Sequence, residues 1–353
     1  MKQKLQIALF VGAMLSGVLN TPLQAATAQN PQGQASKKAV LPAGKNTQAA
    51  KKPVVKTAAK KSPVKSAKAS GAKGGKVVHV AAESPRKAMR RVTFADVDQG
   101  RLSLHSSSVL VIDQNTGQTL FEKHSDAVVP IASISKLMTA MVVLDAKLDM
   151  QEVLTIGEEE VDSLKGTRSR IPVGTTMTRE TAMLLALMSS ENRAAHALGR
   201  HYPGGMPAFV VAMNNKARAL GMRSSSFEEP TGLSSNNVST AHDLARMVAA
   251  AARYPEIRDF STTATAKVEL KGRISDFNNT NALVRSDTWE IGISKTGYIS
   301  EAGRCLVMQA RVADKPVVIV LLDSAGKMTR VGDAMRIKRW MESASLASER
   351  RPA

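Results

Sequence analysis

Three short motifs in this chain hold residue types that can do chemistry together. Ser133-Ile134-Ser135-Lys136 sets a hydroxyl and an amine three residues apart, at the start of an apolar-periodic segment. On a helix that spacing puts both groups on one face, so the amine can reach the hydroxyl. A serine is a weak nucleophile until an adjacent base takes its proton. A lysine can be that base if burial and a neighbouring cation bring its pKa toward the working pH. A place in the first helical turn also leaves a backbone N–H to face a developing oxyanion. Ser190-Glu191-Asn192 adds a second hydroxyl able to relay a proton to a leaving amine, and an amide able to hold a peptide backbone. Lys295-Thr296-Gly297, the only such triplet in the chain, is expected at the end of an apolar strand. Lys295 and Thr296 suit a substrate carboxylate. Gly297 would let a peptide backbone approach the strand edge closely, and the N–H of Tyr298 offers a second oxyanion donor.

Taken singly, none of these motifs carries an argument. Ser62/Lys65, Ser70/Lys73 and Ser324/Lys327 repeat the first spacing, and Ser234/Asn236 and Ser235/Asn237 repeat the second. Ser190 could equally be a helix N-cap. Order decides: a helix-start S-x-x-K, an S-x-N 57 residues later and a strand-borne K-T-G 105 residues after that make one specific pattern. It resembles the triad of the active-site serine penicillin-recognising enzymes. The flanking segments 130–140, Pro230-Thr231-Gly232-Leu233, Lys295-Thr296-Gly297-Tyr298 and 302–308 are similar to the low-molecular-mass D-alanyl-D-alanine peptidases of family S11, over about residues 106–341. Ser-Glu-Asn followed by Arg-Ala-Ala resembles the endopeptidase branch.

That resemblance implies a fold, a reaction and roles. The fold would be α/β, of the penicillin-binding-protein and β-lactamase-like transpeptidase type, with an antiparallel sheet built from both ends of the domain and a helical region between. The reaction would be hydrolysis of D-alanyl-linked cross-bridges of peptidoglycan, with β-lactams as acylating mimics. Ser133 would form the acyl-enzyme and Lys136 would accept its proton. Ser190 and Asn192 would serve proton transfer and substrate positioning, and Lys295 and Thr296 would bind a carboxylate. Three rival readings stand beside it. A class A β-lactamase would carry a Glu-x-x-Leu-Asn segment, which is not found between Asn192 and Lys295. A D-alanyl-D-alanine carboxypeptidase would be expected to continue into a β-rich domain and an amphipathic anchor. A catalytically vestigial wall-binding protein, tethered by its tail, is expected to have lost one of the motifs.

The elements that must position these residues can be read from periodicity. Residues 107–112 read as a strand, 115–117 as a turn and 119–122 as the returning strand. Ile134, Leu137, Met138, Met141 and Leu144 recur at helical spacing, as do Met183, Leu184, Leu187 and Met188. Further helices are expected at 207–220 and 240–252, the latter opened by Ser239 and Asp243 in a capping-box-like start. Strands follow at 290–296, 305–312 and 317–322, then a helix at 330–341. A region of this size buries about three quarters of its unfolded surface and needs no staple. The single cysteine, Cys305, has no partner in the chain and reads as a small core residue.

The remaining sequence speaks of place rather than chemistry. Lys2, Lys4 and the apolar run 5–19 before Ala25 form the pattern of a secretory signal peptide at 1–25, so a periplasmic or secreted protein is expected. The net charge of +19 belongs to the next segment. Sixteen of the 49 Lys and Arg lie in 29–91 beside one acid, and two more are Lys2 and Lys4, leaving 31 basic against 29 acidic residues from Val92 onward. Residues 26–95, rich in Lys, Ala and Pro, are expected to be a disordered basic linker before a catalytic domain at 96–345 and a tail at 346–353. With no aromatic residue in 29–91 to stack on bases, nucleic acid is not the expected partner. Anionic envelope polymers or lipid head groups are. No HExxH or paired-ligand spacing suggests a metal, and no cofactor is implied. Glu158-Glu159-Glu160 reads as a solvated face.

Overall fold

A computed structural model describes residues 102–349, with side chains through residue 346; the expected signal peptide and basic linker lie outside the described residues. Described residues fall in one compact unit, Met89–Ala353. The chain opens on a hairpin, β1 (Ser106–Asp113) and β2 (Thr119–Lys123). Asp113 accepts from the backbone N–H groups of Asn115 and Thr116, which fixes the turn between them. A short β3 (Val129–Pro130) and a 3-10 turn, Ala132–Ile134, lead directly into α1 (Ser135–Asp145). Then come β4 (Val153–Thr155), β5 (Thr176–Thr178), α2 (Arg179–Met188), α3 (Asn192–Arg200) and α4 (Gly205–Ala219). Next are β6 (Val238–Ser239), α5 (Ala241–Ala251), α6 (Pro255–Thr262) and the hairpin β7 (Thr265–Leu270) and β8 (Arg273–Asn278). Three long strands, β9 (Glu290–Ile299), β10 (Gly303–Val312) and β11 (Lys315–Ser324), precede α7 (Thr329–Glu349).

The main sheet runs β2-β1-β11-β10-β9, antiparallel throughout, so its first and last sequence segments pair at its centre as expected. Both faces are buried, which is why β11 is an unbroken apolar run rather than an alternating one. Val318, Val320 and Leu322 pack into the core beneath the helices, while Val317, Ile319 and Leu321 pack on the other face with Ala334, Ile337 and Met341 of α7. Each such buried aliphatic side chain contributes about 1.5–3 kcal/mol by leaving water. Asp333 of α7, fully buried, accepts from the backbone N–H of Ser106 at 2.7 Å and its hydroxyl at 2.6 Å, and pairs with Arg336 at 2.5 Å. That cluster locks the last helix onto the first strand.

α1 is buried from Ser135 to Val143, so the apolar stripe expected there proves to be part of a helix enclosed on every side. Four expectations need correction. The helix at Ala241 is capped by Thr240, whose hydroxyl accepts from the N–H of Asp243, while Ser239 is spent on β6. K-T-G lies inside β9, which continues to Ile299, because Gly297 and Tyr298 still pair with Cys305 and Arg304 of β10. The last helix runs eight residues past 341. Glu160 is no solvated residue: it is 3% exposed and accepts from His196, Arg200 and the N–H of Gly157, the Arg200 guanidinium and His196 helping to hold its carboxyl down at about 2 against burial. No described helix is long and apolar enough to cross a membrane.

Candidate active site

Ser133 sits in the 3-10 turn before α1, and Ala132 before it has a left-handed φ of +49°. Such a conformation costs about 1–2 kcal/mol for a residue with a Cβ, and the surrounding packing must supply it. Two glycines show how closely the turn is gripped. A Cβ on Gly232, whose φ is +80°, would stand 1.9 Å from the Ala132 carbonyl oxygen, and one on Gly297 would stand 3.0 Å from the Ser133 nitrogen. The close approach expected at Gly297 is therefore made by the chain's own 131–133 backbone, seated against β9.

Lys136, one helical turn on, is 1% exposed and has three neighbours, all neutral oxygens. Its Nζ lies 2.9 Å from Ser133 Oγ, 2.7 Å from Asn192 Oδ1 and 2.6 Å from the Thr231 carbonyl oxygen. Burial without a counter-ion brings its pKa down from 10.5 to about 7, against the raising influence of Glu229 and Glu191. In its neutral form the amine would give its two N–H groups to Asn192 and Thr231 and turn its lone pair to the Ser133 hydroxyl.

Lys295, also 1% exposed, projects from β9 and donates to Ser190 Oγ at 2.8 Å and the Thr296 carbonyl at 2.9 Å. Burial first, then the charges of Lys136 and Arg330, push its pKa well below 10.5. A buried cation without a counter-ion is costly, so an arriving carboxylate beside Lys295 would supply the missing counter-charge. Thr296 donates its hydroxyl to Thr280 Oγ1 at 2.6 Å, and the Tyr298 ring is 56% exposed beneath the Arg304 guanidinium at 4.4 Å.

The six polar candidates thus fall into two hydrogen-bonded sets, Ser133–Lys136–Asn192 and Ser190–Lys295–Thr296. They are brought together where α1, α3 and β9 meet by the chain link from Ser190 to Asn192 and the seating of the 131–133 backbone against Gly297, and Tyr298 follows on the strand. Ser190 is not a helix N-cap: Glu191 holds that place, and Ser190 has a φ of +63°. Among the described residues the repeated spacings lie elsewhere, while Ser62/Lys65 and Ser70/Lys73 fall outside the described residues. Ser324 bonds Ser106 at the sheet centre, and Asn237 braces the 228–234 turn through Glu228 N–H, the Glu229 carbonyl and Ser135 Oγ. Cys305 is fully buried, its thiol pushed up to about 11 by burial.

Several site residues escaped the sequence reading. Glu229 organises the turn that presents Thr231, accepting from the N–H groups of Thr231 and Gly232 at 2.6 Å each. Glu191, 6% exposed, accepts from Ser169 at 2.7 Å and Arg170 at 2.9 Å and so docks the 161–171 loop. Thr167 of that loop accepts from Asn192 Nδ2 at 3.1 Å. Arg330 of α7 donates to the Gly297 carbonyl at 3.0 Å. Only Glu191, inside the S-x-N triplet, had a local signal. No cluster of metal-ligating groups occurs among the described residues.

Residues 94–326 match the peptidase S11 family, described as D-alanyl-D-alanine carboxypeptidase. A D-alanyl-D-alanine endopeptidase of Pseudomonas aeruginosa is 50% identical over 247 residues, covering 69% of this chain and 80% of that protein. A D-alanyl-D-alanine endopeptidase of Escherichia coli is 46% identical over 253 residues, covering 71% and 82%. A D-alanyl-D-alanine carboxypeptidase of Bacillus subtilis is 29% identical over 243 residues, covering 66% and 61%. Among solved structures, the Streptomyces K15 DD-transpeptidase superposes with a TM-score of 0.64 at 26% identity, covering 68% of this chain and 98% of that one.

Proposed function

The chain belongs to the peptidase S11 family, and from that premise we propose that it is a serine D,D-endopeptidase cutting D-alanyl-linked cross-bridges of peptidoglycan. The observation that carries the chemistry is the buried Lys136 amine, 2.9 Å from Ser133 Oγ, with its other two neighbours both acceptors. The 50% and 46% identical relatives that bear the endopeptidase name support the choice of bond.

Ser133 Oγ attacks the carbonyl carbon of the D-alanyl peptide bond while Lys136 Nζ takes its proton. The backbone N–H groups of Ser133 and Tyr298 are the candidate donors for the resulting oxyanion. Ser190 Oγ, held by Lys295, passes a proton to the leaving amine nitrogen as the C–N bond breaks. It is re-protonated by the proton Lys136 took, which leaves the Lys136 amine neutral to accept a proton from the attacking water. Water then attacks the ester on Ser133 and frees the acid. Asn192 positions the stem peptide, and Lys295 and Thr296 receive the carboxylate next to the leaving amine. Penicillin, whose ring amide mimics this bond, stops at the ester.

The residues at 1–25 support export, so we place the work in the periplasm or outside the cell, and we assign the Lys-rich 26–95 segment to anionic envelope polymers or lipid head groups. Incubation of purified cross-linked muropeptide dimers with the protein, read by mass spectrometry, should give monomers that keep their stem peptides. Protein first blocked with penicillin should leave the dimers intact. Loss of a terminal alanine from pentapeptide stems, with dimers untouched, would make the enzyme a carboxypeptidase.

The pH dependence follows from the Lys136 amine. Only its unprotonated form accepts the Ser133 proton, and its pKa lies at about 7. Penicillin acylation should therefore level off above that pH and fall about tenfold per unit well below it. Stopped-flow acylation across pH 5–10 reads this; a rising limb centred near 10 would show the amine to be charged at neutrality.

A further inference from the structure

On the face of the main sheet away from α1, the last helix and the segment leading into β1 enclose a cleft of about 480 Å³, room for a small ligand. Among the described residues, one wall is a single stripe of α7, in which Arg336, Arg339, Trp340 and Ser343 follow at i, i+3, i+4 and i+7. Leu102 and His105 belong to the facing wall, and no carboxylate lines the cleft. Asp333, with which Arg336 pairs, is fully buried and already accepts from the N–H groups of His105 and Ser106 and from the Ser106 hydroxyl.

Donors are therefore left over. Arg336 spends one terminal nitrogen on Asp333, and exposed Arg339 has no hydrogen bond or ion pair among the described residues. Trp340 is 8% exposed, its ring packed edge-on against Phe121, and its indole N–H is buried without an acceptor. A buried donor left unpaired is costly, and native structures seldom keep one without a use for it. Two guanidinium groups and an indole N–H share one kind of partner, an anion. A phosphate group suits them better than a carboxylate, because it spreads its acceptors over three or more oxygens around a tetrahedron, whereas a carboxylate holds two in one plane. The cleft is larger than phosphate alone, and Leu102 and the indole give the remainder an apolar border.

We propose that this cleft binds a phosphate ester, held by Arg339 and the free side of Arg336, with the Trp340 N–H gaining the acceptor it lacks. α1 and α7 pack on opposite faces of the sheet, so the ligand leaves Ser133 open and can hold the protein to phosphate-bearing material while it works. The inference does not depend on which bond Ser133 cuts. Indole N–H resonances of the full chain, labelled with nitrogen-15, test it. The chain has two tryptophans, and Trp340→Phe identifies the resonance of Trp340. Added sn-glycerol 3-phosphate should move that proton downfield in a saturable titration. Arg339→Gln, made at an exposed residue, should raise the half-saturation concentration at least about fivefold and still acylate with penicillin at the unaltered rate. Inorganic phosphate and acetate should each need at least about fivefold more than the ester. Dihexanoylphosphatidylglycerol, kept below its micelle concentration, carries the ester on a lipid: tighter binding than sn-glycerol 3-phosphate makes a lipid head group the source, and weaker binding makes it a soluble or polymeric ester. A Trp340 resonance that stays still with both esters, responds equally to inorganic phosphate or acetate, or titrates unchanged in Arg339→Gln overturns the proposal.

Discussion

Treated with a labelled penicillin, the Ser133→Ala protein forms no covalent adduct, and Lys136→Met forms one at least about 10³-fold more slowly than the unaltered chain. The serine variant lacks the atom that makes the ester. The methionine variant keeps a buried side chain of similar length but has no lone pair to take the hydroxyl proton. It also leaves Asn192 Oδ1 and the Thr231 carbonyl without their donor. Because the two residues act as a unit, the double variant is no worse than Ser133→Ala. Thermal melting distinguishes chemistry from collapse, since Ser133→Ala should unfold cooperatively near the temperature of the unaltered protein. An adduct in Ser133→Ala, mapped to another serine, would overturn the assignment of the nucleophile.

The second large effect is expected from one methyl group outside the three motifs. Gly232→Ala puts a Cβ 1.9 Å from the Ala132 oxygen, 2.2 Å from its carbonyl carbon and 2.7 Å from the Ser133 nitrogen, at a residue whose φ is +80°. These neighbours are backbone and cannot rotate away, so the turn carrying the nucleophile must shift. We expect a loss of about 3 kcal/mol or more in urea unfolding, combining overpacking with the left-handed backbone, and a fall in acylation of at least about 100-fold. Gly221→Ala is the matched control. Its φ is +72° but its Cβ would meet nothing within 4 Å, so it should lose about 1 kcal/mol and acylate normally. Equal acylation by the two variants would show that contact with the 132–133 backbone is unimportant.

The contrast between these residues explains what the sequence could reveal. Ser133 and Lys136 interact across one helical turn, and the order of the three motifs carries the rest, so the polar group of the site was legible without coordinates. So was the sheet assembled from both ends, because β1, β10 and β11 are apolar runs bounded by turn residues. Gly232, Glu229, Thr167 and Arg330 act across the fold, through contacts no local spacing encodes. Glu160 was misread for the same reason, since its partners His196 and Arg200 lie 36 and 40 residues away. The β7–β8 hairpin escaped because only Leu270 and Phe277 of its residues are fully buried, Ala266 and Val268 packing half-buried beside them, and its turn is Lys271-Gly272, a pair without a strong signal.

Pairing of β1 with β11 also sets a timetable. Ser106 and Ser324 meet across 218 residues, so a chain made from its N-terminus holds β1 paired on one edge only, with β2, until nearly all of the domain has been synthesised. Ser133, Lys136 and Ser190 emerge early, but their backing strand β9 and the lysine on it come more than a hundred residues later. Closure over so long a span favours slow folding in one late cooperative step. A growing chain of this kind has no assembled nucleophile to spend on a wrong peptide bond. Its hydrolytic capacity arrives only with its last strands.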